Sequence, residues 1–441
     1  MHLPTLAGPR RRTRRAVLAA ALPAAVAAFA LPAAAQANVV GLSGGQLQYF
    51  QTTSQPSSVV VKNGSGTINV ESGSGISSFP SLCQRVNAFE VGCPAGQVLR
   101  AFVQLGNGND FYTSRTHVPT EVFGLNGNDT YAGAATLVMN QVDFTGGAGS
   151  DTVTYALSNR GVSVNKDLVA NDGRSGLDRD NIRIDVERII GSNFRDLLTG
   201  SDLANVTDLY SPGQGDDNVN GGEGPDSVSA EPTVDGADFF QGGNGIDRVS
   251  YTNRTRPVSV TPGIATPGNT FADDGEAGER DQIASDVEVL IGGQAGDALK
   301  VRPESTATVS LFGGGGIDTL EGAEGPDQLH GGSGGDTLLA KGGDDRLDAA
   351  DGEGDILGCG FGSDTAIIDN LDGFSNCETR TLVGKLRLTP KVLRGKAVVA
   401  KLALRLDESL AGQMLGAEVE ATDRRGARQL ERDAGTVRVA R

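Results

Sequence analysis

Between residues 313 and 348 the chain reads GGGGIDTLEGAEGPDQLHGGSGGDTLLAKGGDDRLD, and its apolar positions are sparse but regular. Leu320, Leu329, Leu338 and Leu347 recur every nine residues, each two places after an aspartate: Asp318, Asp327, Asp336 and Asp345. One inward residue between mostly polar neighbours is the mark of a three-residue strand with one buried face. The six residues before each strand are mostly glycine and acid, and they predict a tight turn in which glycine supplies positive φ and lets carbonyls approach one another. Two such units make one coil. Each turn then stacks on the turn 18 residues away, with strands in parallel sheets about 4.8 Å apart. Asp318 is expected over Asp336, and Asp327 over Asp345. The predicted fold class is all-β, a parallel β-roll or β-solenoid of glycine-rich nonapeptides.

Weaker copies extend the pattern in both directions. LGNGNDFYT, GLNGNDTYA and GGAGSDTVT carry Asp110, Asp129 and Asp151; GQGDDNVN, GGEGPDSVS, GADFFQ and GGNGIDRVS carry Asp217, Asp226, Asp238 and Asp247. The regular run continues through Asp355, after one extra residue, to Asp364. Asp297 has Ala295 where glycine is expected and no unit within 18 residues, so it is expected to stand alone, and Asp196 lacks the turn glycine. A longer duplication pairs VTYALSNRGVSV at 153–164 with VSYTNRTRPVSV at 249–260, and DVERIIG at 185–191 with DVEVLIG at 286–292. The acidic loops inside these copies lack the ligand spacing of an EF-hand, and they predict coils enlarged by a surface loop.

The ends follow a different pattern. Residues 38–104 alternate apolar and polar in QLQYF, SSVVVK and GTINVE, which predicts a β-rich cap over the first coil's edge. The expected organisation is a signal peptide at 1–37, that cap, a degenerate solenoid at 105–300 with two enlarged coils, a regular roll at 301–379, and a β-rich module at 380–441. RRRTRR, an apolar run and AQA at Ala35–Ala37 form the export signal, with the mature chain starting near Asn38. A secretory and a twin-arginine route both remain open. No later run is long and apolar enough for a membrane span. Four cysteines in an exported chain allow three pairings; locality favours Cys83 with Cys93 and Cys359 with Cys377.

Charge changes the picture most. The net charge is −17, yet five arginines precede residue 16 and 380–441 holds 14 basic against 7 acidic side chains, which leaves the middle near −29. That argues against nucleic acid or anionic membrane as partner of the middle, and for a cation.

The recurring G-G-x-G-x-D-x-L-x resembles the hemolysin-type, or RTX, calcium-binding repeats of secreted bacterial proteins, across residues 105–370. The resemblance implies a β-roll with Ca2+ between turns. It implies as ligands Asp318, Asp327, Asp336, Asp345 and Asp364, then Asp355, Asp217, Asp226, Asp247, Asp110, Asp129 and Asp151, together with turn carbonyls such as those of Gly314, Gly316, Gly331, Gly332, Gly334 and Gly343. Physical chemistry agrees. One buried leucine returns roughly 2 to 3 kcal/mol, well short of the cost of ordering nine residues. Carboxylates stacked at strand spacing repel by roughly 3 kcal/mol at an effective dielectric near 20. Calcium accepts six to eight carboxylate and carbonyl oxygens in irregular geometry, which facing turns provide.

Catalytic patterns are weak. There is no H-E-x-x-H; GLSGG at 41–45 and GGSGG at 331–335 match a nucleophile elbow only formally, the second being a repeat turn. The expected function is that of a non-enzymatic, exported calcium-binding solenoid with a structural or surface-interaction role, its partners calcium and a cell-surface glycan or protein. The alternatives are a secreted polysaccharide-active or other enzyme built on the same scaffold, and an adhesin.

Overall fold

The computed structural model describes residues 38–383, apart from 53, 134–138, 264–273 and 304, and in the tail four short strands. The export signal at 1–37 lies outside the described residues. In the basic module, Met414–Gly416 pairs antiparallel with Thr436–Arg438, and Val419–Thr422 with Arg428–Glu431.

One long parallel sheet runs the length of the solenoid. It starts at Ser58–Asn63 and Phe111–Arg115 and continues coil by coil to Thr365–Ile368 and Thr379–Leu382. The opposite face is made of three successive sheets, and the breaks fall at the two duplicated segments. There Val162–Asn165 folds back antiparallel on Gly173–Arg174 and founds the next sheet, while Asn181–Ile182 completes the previous one beside Val142–Ala148. Val258–Val260, Gly275–Glu276 and Gln282–Ile283 repeat the arrangement. Duplicated sequence thus gives duplicated sheet handovers.

Register bears out the nine-residue reading where the repeat is regular: Leu311 pairs with Leu329, Leu329 with Leu347 and Leu320 with Leu338, each 18 residues on. Each strand buries its central side chain and turns both neighbours outward, as in Thr319–Glu321. Elsewhere the coil is longer. Asn218 pairs with Phe239 and Ala298 with Thr319, 21 residues on. This corrects the expected isolation of Asp297, whose turn is stacked on that of Asp318 through a 21-residue coil.

The core is a single apolar column. In the regular part it is leucine; toward the amino end it widens to hold the buried rings of Tyr49, Tyr112, Tyr131, Tyr155, Tyr210 and Tyr251. At the amino end Gln46–Phe50 and Ser58–Asn63 each pair parallel with a strand of the first coil, and hairpins cover their far sides. The strand Arg100–Asn107 crosses the expected boundary at residue 104 and belongs to the solenoid. Disulfides join Cys83 to Cys93 and Cys359 to Cys377.

The acidic loops of the enlarged coils expose Ser175, Gly176 and Arg179 in the first copy and Ala277, Gly278 and Arg280 in the second, but turn their acids inward. Asp172, Arg174, Asp178 and Asp180 are buried, as are Asp274, Glu276, Glu279 and Asp281 in the second copy. They fold inward because the widened core offers polar partners. The hydroxyls of Tyr131 and Tyr155 donate to Asp180 Oδ2 at 2.9 and 3.1 Å, and that of Tyr251 donates to Asp281 Oδ2 at 2.9 Å.

Candidate metal centres

Each repeat turn ends in an aspartate whose side chain points back beneath its own coil. Stacking brings successive aspartates into ladders, and one hydrogen bond recurs along them: the backbone N–H of an aspartate donates to Oδ1 of the aspartate one coil later. Asp318 donates to Asp336 at 2.8 Å, Asp336 to Asp355 at 2.6 Å, Asp327 to Asp345 at 2.7 Å and Asp345 to Asp364 at 2.9 Å. The same bond links Asp110, Asp129 and Asp151, the run Asp196, Asp217, Asp238 and Asp281, and the run Asp208, Asp226 and Asp247. An N–H between stacked carboxylates offsets part of their repulsion, a compensation the sequence reading lacked.

The second carboxylate oxygen has no such partner. In eleven of the twelve predicted aspartates, all but Asp327, Oδ2 is buried and accepts no hydrogen bond. A buried, unsatisfied acceptor costs about 1 to 3 kcal/mol, and more when charged. Burial accordingly pushes these carboxyls upward, to about 7 in Asp129, Asp226, Asp318 and Asp355, about 8 in Asp217 and about 6 in Asp151 and Asp345.

Carbonyls meet these oxygens. A Cβ placed on Gly313 would lie 2.3 Å from Asp318 Oδ2 and 2.4 Å from the Gly331 carbonyl of the next coil; on Gly221 it would lie 2.5 Å from Asp226 Oδ2 and 2.4 Å from the Gly242 carbonyl. Further round the turn, the carbonyls of Gly314 and Gly316 crowd against Gly332 and Gly334, and that of Gly343 against Gly362. Hard, anionic and carbonyl oxygens facing one another without a donor between them form a ligand set suited to Ca2+. Among the described residues no three acidic, histidine or cysteine side chains converge on one point. The donor set is one carboxylate oxygen per turn together with main-chain carbonyls.

Residues 212–249 and 312–347 match the RTX calcium-binding nonapeptide repeat, in four copies. The chain carries RTX-type calcium-binding nonapeptide repeats. No curated protein matches the chain. The RTX geometry extends past the matched segments: Asp110, Asp129, Asp151, Asp355 and Asp364 lie outside them yet carry the same orphaned oxygen. They would hold Ca2+ through Oδ2 and the turn carbonyls facing it.

Three turns are built differently. In those of Asp196, Asp297 and Asp327, Oδ2 accepts the N–H of the residue four places earlier, Ser192, Gly293 and Ala323 respectively. Asp327, which the resemblance implies as a ligand, therefore has both oxygens engaged, Oδ1 accepting the Val309 N–H at 3.1 Å. The physical difference is one backbone angle. Where Oδ2 is orphaned, the residue four places before the aspartate has positive φ, as in Gly314 (103°) and Gly332 (103°), and even in Leu125 (81°) and Lys341 (77°). In the Asp355 turn the positive φ falls instead at Gly352 (98°), three places before the aspartate. Ser192, Gly293 and Ala323 lack positive φ, and their N–H reaches the carboxylate.

Sequence reasoning also missed the ladder ends. Glu187, Glu288 and Glu378 accept the N–H of Asp151, Asp247 and Asp364 at 2.7, 2.8 and 2.9 Å, so each closes a ladder with the longer acid. The signal was present as the glutamate of the duplicated DVE and of CET. Asp208 was missed as well; Lys166 Nζ contacts its Oδ1 and donates to the Val186 carbonyl at 2.7 Å. His330 stacks on Phe312 with centroids 4.7 Å apart on the outer face, and Ser333 ends a repeat strand.

Proposed function

We propose that calcium drives the folding of this protein outside the cell, and that the folded solenoid is a non-catalytic structural or surface-interaction element. The carrying observation is the row of buried aspartate Oδ2 atoms that accept no hydrogen bond, with a glycine carbonyl of the next coil close by in the turns of Asp129, Asp226 and Asp318. A carboxylate in that position is unfavourable without a cation and favourable with one, so binding free energy becomes folding free energy. The two disulfides agree with an oxidising exterior. Among the described residues no helix is long and apolar enough to cross a membrane.

The test is circular dichroism of the mature chain, residues 38–441, titrated with calcium chloride from chelator, with magnesium chloride as control. Strand signal is expected to grow with a midpoint of roughly 10⁻⁴ to 10⁻³ M, the range of extracellular calcium modules. Spectra that are the same in calcium and in chelator would overturn the proposal.

A further inference from the structure

The turns with an engaged Oδ2 are not scattered. Asp196, Asp297 and Asp327 each stand at the head of a ladder, and in each case Oδ1 accepts the N–H of a valine one coil earlier: Val162 at 2.7 Å, Val258 at 2.8 Å and Val309 at 3.1 Å. A ligand site between coils needs oxygens from both. The coil before each of these three heads offers a valine where the next coil has its aspartate, and its backbone forms other turns: Ser158 N–H bonds to Tyr155 O, Arg254 to Tyr251 and Ser305 to Arg302. These three head turns close on themselves through the N–H of Ser192, Gly293 or Ala323; the other two ladder heads differ, Asp110 keeping Oδ2 free while its Oδ1 accepts the Ser57 N–H, and Asp208 accepting the Ser201 N–H at 2.8 Å. The closure is not a simple consequence of side-chain type, since Gly293 is a glycine and still lacks positive φ.

We infer that calcium enters only at turns whose aspartate keeps a free Oδ2, and that the closed head turns of Asp196, Asp297 and Asp327 hold no ion and act as built-in amino-terminal caps of the calcium stacks. Repeat sequence and ion occupancy therefore diverge in this chain: Asp327 belongs to a matched repeat and is a cap. The inference rests on the calcium reading above and sharpens it, from where repeats lie to which of them bind.

The test counts calcium ions per mature chain by equilibrium dialysis against calcium chloride, in the parent and in two pairs of variants, D327N with D345N and D297N with D318N. Each pair compares a head turn with the next turn of the same ladder. The expected result is a parental count in D327N and D297N and at least one ion fewer in D345N and D318N. Equal losses within each pair, or a larger loss in the head variant, overturn the inference while leaving calcium-driven folding in place. A parent that binds no calcium overturns the calcium reading itself. Thermal melts cover the case of poor folding: the rise in Tm caused by calcium should stay parental in the head variants and shrink in their partners. A head variant that loses the calcium-induced rise while its partner keeps it counts against the caps.

Discussion

At the scale of single residues, two atoms decide what a turn can do: the aspartate Oδ2 and the Cα beneath it. A methyl group on Gly334 would lie 1.6 Å from the Gly316 carbonyl, at φ 134°. Gly176, at φ 71°, has open space around it. Gly176→Ala should therefore cost only the left-handed strain of about 1 to 2 kcal/mol, whereas Gly334→Ala must also push two coils apart. The expected outcome, read from denaturant midpoints in saturating calcium, is a clearly larger loss for Gly334→Ala. The aspartates also set a pH dependence of opposite sign in the two metal states. Burial raises the metal-free carboxyls of Asp129, Asp226, Asp318 and Asp355 to about 7, above the unfolded value near 3.9. A raised folded pKa contributes stability that is complete below about pH 4 and lost as pH climbs through about 7. In chelator, melting temperature should thus fall from pH 4 to pH 8. In excess calcium it should rise across the upper part of that window, because the ligand must be deprotonated. Acid removes the ion but also removes the need for it. Parallel slopes in calorimetric scans of the two states would contradict this account.

At the scale of elements, the strand-and-turn unit was legible because its signal is local: one leucine in register with one aspartate fixes face and spacing together. The enlarged coils were legible as a duplication, but not as interior structure. An acidic, glycine-bearing loop is ordinarily solvated, and only the buried Tyr131, Tyr155 and Tyr251 hydroxyls, distant in sequence, together with the buried basic groups make an inward course favourable. Arg254 is the clearest case. Its guanidinium is fully buried and pairs with Asp235 at 2.6 Å, with Glu276 at 3.5 Å and with Glu279. Removing one partner of a buried ion cluster typically costs 3 to 5 kcal/mol, because the remaining charges stay buried. Arg254→Met should lose about that much in urea titrations, in chelator and in calcium alike, since its guanidinium pairs with none of the aspartates that keep a free Oδ2. A loss seen only in calcium would place Arg254 in the metal machinery instead. The split between open and closed turns was illegible for a related reason: Gly293 closes and Lys341 opens, so the sign of φ follows the neighbouring coil rather than the residue itself.

For the whole molecule, the distribution of internal cations sets how it comes apart. Among the described residues the buried basic side chains are Lys166, Arg174 and Arg254, all within or beside the enlarged coils. Lys166 serves Asp208, Arg174 serves Asp178, and Arg254 serves the acids of the second copy. From Asp318 to Asp364 the ladders contain no such group, and their free oxygens depend on calcium from outside. The carboxyl-terminal stack has a covalent lock instead: Cys359–Cys377 closes an 18-residue separation, worth roughly 3 kcal/mol in the chain-entropy model. A lock of that kind narrows the unfolded ensemble but satisfies no carboxylate. Withdrawal of calcium should therefore open the molecule in segments. Hydrogen exchange of the oxidised mature chain in chelator is expected to speed up first across 313–372, while amides around Ile182, Ile189 and Ile283 keep most of their protection. Adding calcium should restore the regular stack over the same concentration range that restores the strand signal. Uniform loss of protection along the chain would mean that the enlarged coils depend on calcium as fully as the repeats do, and that Lys166, Arg174 and Arg254 do not substitute for it.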